Sequence, residues 1–133
     1  MTELSNIPDG LRYSKDHEWV RVDGDMATVG ITDHAQHAMG DITYVELPPT
    51  DKAVAAADEL AAVESAKAAS DVYAPASGTV IEVNNDLEDA PEKVNTDSYG
   101  DGWICRIRLT DASELERLLA PADYRKLIEQ DET

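Results

Sequence analysis

The chain has 133 residues, of which 42% are hydrophobic and only 5% aromatic, with no Phe. This length predicts one domain, with a core built from Val, Ile, Leu and Ala. Eleven Lys and Arg against 28 Asp and Glu give a net charge of −17, which repels phosphates and anionic lipids and so excludes nucleic-acid and membrane partners. Such a surface is either an ordinary solvated shell or, as we favour, an adaptation to high salt, where screening shortens the reach of self-repulsion.

Short strands separated by turns account for the first half of the chain. Alternating apolar and polar side chains predict strands at residues 18–22, 27–31 and 41–47. Asp23-Gly24 between the first two strands is a hairpin-turn signal. After the second strand, Thr32 or Asp33 is expected to cap a short helix that ends before Gly40.

The second half continues with strands and then changes to a helical period. Strands are predicted at residues 60–64, 71–73, 78–83 and 103–109. Ser113 and Glu116 have the spacing of a capping box, and a second helix is expected from Pro121 to Ile128. The pattern therefore predicts a small, mainly antiparallel barrel or sandwich, a short internal helix, and a helical C-terminal segment at about 113–128.

Cysteine content and the terminal sequence bear on the compartment. Cys105 is the only cysteine, so no intrachain disulfide is expected, which suits a reducing cytoplasm. It lies in an apolar run, which favours a core residue. No stretch of about 18 apolar residues predicts a membrane span. The first ten residues lack the basic and apolar segments of a signal or transit peptide, so we expect a cytoplasmic protein.

Lys67 is the residue most open to a chemical interpretation. Two predicted strands flank a short connection in which small side chains surround this lysine, so the amine is expected to point into water at a hairpin tip. An ordinary solvated lysine is the simplest interpretation. A Schiff-base lysine is disfavoured, because nearby Glu64 and Asp71 stabilise the charged amine. Acylation by another enzyme fits these surroundings better, since it requires reach and clearance.

Several blocks of the sequence occur in an order that resembles one known family. The lysine segment Glu64-Ser65-Ala66-Lys67-Ala68 with Ser70-Asp71 resembles the lipoylation motif of glycine cleavage H proteins. Further matching blocks are Tyr13, His17-Glu18-Trp19-Val20, Val29 to Gln36, Gly40-Asp41-Ile42, Val45 to Pro48, Pro75, Ser77-Gly78, Val83-Asn84, Val94-Asn95, Tyr99-Gly100 and Gly102-Trp103. The resemblance covers about residues 8–128, the expected core of a single lipoyl-carrier domain spanning 1–133.

Three positions depart from the family pattern. Ala66 stands where Val is usual, and Ala57 and Ala61 stand where glycines are common just before the motif. Because glycine adopts backbone conformations that alanine avoids, the local turns or strand contacts are expected to differ there. The attachment lysine itself is unaffected.

The resemblance implies a fold, a cofactor and partners. The fold is expected to be the flattened barrel-sandwich hybrid of lipoyl and biotinyl carriers, and the protein is expected to be a non-catalytic monomer that carries (R)-lipoate on Lys67. It shuttles the aminomethyl group of glycine from glycine decarboxylase (P protein) to aminomethyltransferase (T protein). Dihydrolipoyl dehydrogenase (L protein) re-oxidises the dithiol, and a lipoate ligase or lipoyl transferase attaches the lipoate.

The resemblance also suggests roles for individual acids. Glu64 is expected to help the attaching enzyme recognise the hairpin. Glu18, Ser70 and Asp71 are candidates for a cleft that shelters the cationic amine of the loaded arm. For each acid the alternative is a plain surface charge, which is the commoner role in so acidic a chain.

Other functions remain open at this point. A stand-alone relative could relay lipoyl groups to other enzymes, or the domain could be a non-lipoylated interaction module with an inert Lys67. His17, His34 and His37 lack the third or fourth ligand that a metal site needs, so no metal is expected. An enzyme is the weakest alternative, because no nucleophile elbow, phosphate loop or zinc signature occurs.

Overall fold

The computed structural model describes residues 6–131, so the outermost residues of the predicted domain, 1–5 and 132–133, lie outside it. The fold is mainly β. Its strands are β1 Arg12–Tyr13, β2 Glu18–Asp23, β3 Met26–Ile31, β4 Ile42–Glu46, β5 Ala53–Val54, β6 Glu59–Ser65, β7 Ala69–Tyr73, β8 Gly78–Val83 and β9 Cys105–Leu109. Its helices are α1 Asp33–Met39, α2 Asp86–Asp89, α3 Lys93–Thr96 and α4 Pro121–Asp131, with a 3₁₀ helix at Ala112–Arg117.

Two antiparallel sheets form the predicted flattened sandwich, which is not a closed barrel. One sheet has the strand order β1-β2-β3-β9-β8-β5, and the other has the order β4-β6-β7. Every strand pair is antiparallel. In the smaller sheet, β4 and β7 are therefore edge strands, and within residues 6–131 no strand pairs with the outer edge of β7.

The main core lies between the two sheets. As predicted, it is almost entirely aliphatic, with Val29 and Ile107 from the larger sheet against Val63 and Val72 from the smaller one. Cys105 belongs to this core and is fully buried, and burial raises the pKa of its thiol to about 12.

A second, aromatic core lies on the other side of β2. Tyr13, Trp19 and Tyr124 are fully buried there, and the rings of Tyr13 and Tyr124 stack with centroids 4.7 Å apart. This cluster docks α4 against β1 and β2. Because β2 is covered on both faces at its start, Glu18, Trp19 and Val20 are all buried, in place of the alternating pattern of a half-exposed strand.

The helix ends predicted for α1 are confirmed, whereas the cap predicted for the first C-terminal helix is wrong. Thr32 caps α1 by accepting a hydrogen bond from the Ala35 N–H, and Gly40 ends it with a φ of 79°. The capping box of Ser113 with Glu116 was a wrong prediction. Asp111 caps a 3₁₀ helix instead by accepting from the Ser113 N–H, and the C-terminal helical segment consists of this 3₁₀ helix at Ala112–Arg117 and α4 at Pro121–Asp131.

Candidate functional site

Lys67 lies at the tip of the hairpin that joins β6 to β7. The two strands pair up to Glu64 and Ala69. The Ser65 N–H then donates to the Ala68 carbonyl at 2.8 Å, and the Ala68 N–H donates to Ser65 Oγ at 3.2 Å, which closes the turn. Lys67 is exposed, as are its alanine neighbours. The structure therefore places this lysine at an exposed hairpin tip, as the sequence predicted.

Gly40 lies beneath the Lys67 side chain. A methyl group built on Gly40 would lie 3.3 Å from Lys67 Cε and 3.8 Å from Nζ. The Gly40 turn is held by Asn95, whose Nδ2 donates to the Gly40 carbonyl at 2.9 Å and whose Oδ1 accepts from the Ile42 N–H at 2.8 Å. The absence of a side chain at position 40 therefore leaves the lysine stem unobstructed.

The other acids predicted near the lysine are exposed on the smaller sheet. Glu64 lies on β6 opposite Tyr44 of the neighbouring edge strand. Ser70 and Asp71 lie on β7 between the hairpin and Tyr73. Asp71 also lines a shallow depression of about 140 Å³ together with Lys52 and others. Ser70 and Asp71 thus lie on the strand that leads from the hairpin towards Glu18, but they do not line the cavity beside Glu18.

Glu18 is a buried acid at the far end of β7. Only 2% of it is exposed. Its Oε1 accepts from Ser14 Oγ at 2.5 Å, and its Oε2 accepts from the Tyr73 N–H at 3.2 Å. Burial raises the pKa of this carboxyl to about 7, and the two hydrogen bonds oppose that rise. Glu18 is therefore balanced between its neutral and ionised forms near neutral pH.

A cavity of about 420 Å³ opens beside Glu18. Its walls are largely apolar and also include several charged side chains. The lining residues are Ser14, Lys15, Asp16, Glu18, Ala56, Ala57, Tyr73, Ala74, Pro75, Glu114, Arg117, Leu118 and Leu119. Such a mixture suits a partly apolar ligand that carries one cationic group.

The 3₁₀ helix forms one wall of this cavity and is fixed by Glu114. The two carboxylate oxygens of Glu114 accept from the backbone N–H and the hydroxyl of Ser77, at 2.8 and 2.9 Å. Ser77 Oγ also accepts from the Ala56 N–H at 2.9 Å. The sequence pattern did not identify Ser14, Tyr73 or the 3₁₀ helix as parts of a site. Among the residues that form this wall, only Ser77 lay in a block that resembles the family.

The free edge of β7 connects the hairpin to the cavity. A strand rises about 3.3 Å per residue, which puts Tyr73 about 13 Å from Ala69. Lys67 lies two residues before Ala69, so β7 runs from the lysine hairpin to the cavity that Glu18 lines.

His17 and His34 pack together near the C-terminal helix. The rings of His17 and His34 lie 4.8 Å apart, and His17 Nδ1 is 2.8 Å from the Tyr124 hydroxyl. No group of three or more potential metal ligands occurs among residues 6–131. Within the same range, no helix is long and apolar enough to cross a membrane.

Comparison with known proteins gives one consistent family. The family model described as glycine cleavage H-protein matches residues 11–131. The glycine cleavage system H protein of Pseudoalteromonas translucida is 54% identical over 129 residues, covering 96% of this chain and all of the relative. That of Carboxydothermus hydrogenoformans is 47% identical over 128 residues, covering 96% of this chain and 98% of the relative.

A solved structure agrees with the sequence comparisons. The crystal structure of a glycine cleavage system H protein from Mycobacterium marinum superposes with a TM-score of 0.83 at 37% sequence identity. The match covers 96% of this chain and the whole of the other. Both the fold and the sequence are thus similar over nearly the full length.

Proposed function

The chain belongs to the glycine cleavage H-protein family, and we propose that it carries (R)-lipoate as an amide on Lys67. As a member of this family it is a carrier component of the glycine cleavage system and has no catalytic activity of its own. The lipoyl group, when bound, supplies a dithiolane that can accept a carbon unit and be reduced in the process. The observation that carries the proposal is the exposed Lys67 amine at a hairpin tip of small residues.

The partners follow from the role. The carrier takes the aminomethyl group of glycine from glycine decarboxylase to aminomethyltransferase, and dihydrolipoyl dehydrogenase restores the disulfide form. A lipoate ligase or lipoyl transferase acts on the chain first. Glu64, exposed on β6 three residues before Lys67, is positioned for that enzyme to recognise the hairpin. The buried, unpaired Cys105 fits a reducing compartment, and we assign the carrier to the cytoplasm as a monomer.

Glu18 is the group best placed to hold the cargo. The transferred amine is a cation at neutral pH, and a carboxylate in a partly apolar cavity attracts a cation more strongly than one in water. Ala57, Pro75 and Leu118 provide apolar walls that limit the access of water. Ser70 and Asp71 lie earlier on β7 and would contact the arm along its path, with the Asp71 carboxylate adding to the attraction for the amine.

The proposal is tested by reconstituting glycine decarboxylation with the three partner enzymes. Lys67→Arg keeps the positive charge and should fold normally, but it cannot be acylated, so the reaction should fall to background. Lys126→Arg changes an exposed lysine on α4 and should retain full activity. Equal activity of the two variants would contradict the assignment of Lys67.

The two alternative functions predict different outcomes for lipoylation and for the reconstituted reaction. A relay protein would be lipoylated on Lys67, would pass the lipoyl group to other carriers, and would fail to support glycine decarboxylation. A non-lipoylated interaction module would keep its unmodified mass in the presence of lipoate and ligase. Either outcome would replace the proposed role.

A further inference from the structure

Ser14 and Glu18 form a closed hydrogen-bonded loop at the cavity wall. Ser14 Oγ donates to Glu18 Oε1 at 2.5 Å and accepts from the Glu18 N–H at 2.9 Å. A backbone hydrogen bond joins the same two residues, since the Ser14 N–H donates to the Glu18 carbonyl at 2.9 Å. The hydroxyl therefore fixes both the backbone and the carboxyl of Glu18.

The contacts leave the carboxyl able to bind one more donor. The Ser14 hydroxyl occupies one oxygen and the Tyr73 N–H occupies the other. A carboxylate has about four acceptor positions on its two oxygens, so both oxygens retain capacity. Because Glu18 lines the cavity, a donor arriving there would meet a carboxyl that is already oriented.

The charges around Glu18 do not supply a permanent counterion. Asp16 opposes ionisation of Glu18, whereas the hydrogen bonds from Ser14 and Tyr73 favour it. Lys15, Glu114 and Arg117 line the same cavity, but no ion pair joins Lys15 or Arg117 to Glu18 among the described contacts. The Ser14 hydroxyl is thus the main side-chain group that stabilises the anion before a ligand arrives.

We propose that Ser14 is a positioning residue of the carrier cleft, whose hydroxyl aims the Glu18 carboxyl into the cavity and stabilises its ionised form for a primary ammonium group. The inference rests on the proposed function, since the ammonium group is that of the cargo. When the cation docks, a Glu18 that is still protonated releases its proton to solvent, and one ammonium–carboxylate pair replaces one neutral acid. Docking should therefore release a fraction of a proton near neutral pH.

The direct test is the titration of Glu18 in the protein without lipoate. Glutamate labelled with ¹³C at the side-chain carboxyl gives one signal per residue, and the Glu18 signal is identified by its loss in Glu18→Gln. In Ser14→Ala the midpoint should move to higher pH, with about a tenfold rise in proton affinity, as expected for the loss of a hydrogen bond to a charged group. Ser14→Thr keeps the hydroxyl and should restore the original midpoint.

Ser113→Ala is the matched control. Ser113 Oγ also donates to a carboxylate, Asp111 Oδ1 at 2.6 Å, but the pair is exposed and lies outside the cavity lining. This variant should leave the Glu18 titration unchanged. Ser14→Cys keeps the side-chain volume with a much weaker donor and should move the midpoint in the same direction as alanine, which covers the case in which Ser14→Ala does not fold.

A second readout separates this inference from the proposed function. Lipoylated protein loaded with the cargo amine should release ammonia about tenfold faster in Ser14→Ala than in wild type or Ser14→Thr, because the carboxylate no longer holds the cation in place. An unchanged Glu18 midpoint in folded Ser14→Ala would overturn the role of Ser14 even if Lys67 is lipoylated. Failure of lipoylation at Lys67 would overturn the proposed function and leave the titration result standing.

Discussion

Replacing Glu18 by Gln should remove a pH-dependent loss of stability that the buried carboxyl imposes. The folded-state pKa of about 7 lies above the ordinary value of 4.5. The folded protein therefore holds this proton over a pH range in which the unfolded chain has released it, and stability falls as pH rises from the unfolded towards the folded pKa. The loss is complete above pH 7 and absent well below pH 4.5.

The size of the effect follows from the two pKa values. Each tenfold change in proton affinity corresponds to about 1.4 kcal/mol, so the full cost of ionising buried Glu18 is about 3 kcal/mol. Between pH 5 and pH 8 the wild type should lose about 2 to 3 kcal/mol from this group alone. Gln cannot accept from both Ser14 Oγ and the Tyr73 N–H with a single oxygen, which costs about 1 kcal/mol at every pH.

The assay is urea unfolding of wild type and Glu18→Gln at pH 5 and pH 8. The change in unfolding free energy between the two pH values should be about 2 to 3 kcal/mol more negative for wild type than for the variant. The other carboxylates titrate in both proteins and cancel in this difference. At pH 8 the variant should be the more stable protein by about 2 kcal/mol. An identical pH dependence in the two proteins would refute the assignment of a raised pKa to buried Glu18.

Three further predictions concern backbone conformation, packing and charge. Ala57 has a φ of 75°, a left-handed conformation that costs a residue with a Cβ about 1 kcal/mol. Ala57→Gly should therefore raise the thermal midpoint of unfolding by a few degrees. The control Ala56→Gly, at the preceding residue, should lower it. A Cβ at Gly78 would lie 2.2 Å from the Arg108 backbone carbonyl oxygen, so Gly78→Ala should cost about 3 kcal/mol in urea unfolding, and Gly24→Ala, where the added methyl meets no atom, only about 1 kcal/mol. With a net charge of −17, the unfolding free energy should rise between 0.1 and 1 M KCl, because the screening length falls from about 10 Å to about 3 Å; a fall over that range would contradict the salt-adapted interpretation.

Local sequence signals predicted the parts of the site that depend on neighbouring residues. The Lys67 hairpin was predictable because two short apolar runs flank a stretch of small residues. Strands that are so close in sequence pair through a short turn, and no distant contact is required. The cap of α1 at Thr32 was predictable for the same reason, since the capping side chain and its partner are three residues apart.

The parts that depend on distant contacts were not predictable from the pattern. Glu18 was expected only as a cleft candidate, and its carboxyl is buried on the face of β2 opposite Trp19, where the Ser14 hydroxyl and the Tyr73 N–H of β7, 55 residues further along the chain, bind it. Family resemblance indicated this acid, but its chemistry depends on Ser14 and Tyr73, which carry no signal of their own. At the 3₁₀ helix, Asp111 is the cap in place of Ser113, and Glu114 makes a long-range contact by accepting from the Ser77 N–H.

The departure at Ala57 shows how resemblance and geometry combine. Glycine was expected near this position, and Ala57 adopts the left-handed conformation that glycine accommodates. The Ala57 N–H donates to the Ala74 carbonyl at 2.7 Å, which holds the strained turn at the cavity wall. The surrounding contacts thus outweigh the local preference of alanine, at the energetic cost that Ala57→Gly is designed to measure.

Intact mass after incubation with lipoate, ATP and a lipoate ligase tests the central claim most directly. Wild type and Lys126→Arg should each gain a single lipoyl amide of roughly 188 Da, and Lys67→Arg should gain nothing. Peptide mapping should locate the added mass on Lys67. Absence of the adduct from wild type, or its presence on Lys67→Arg, would contradict the account.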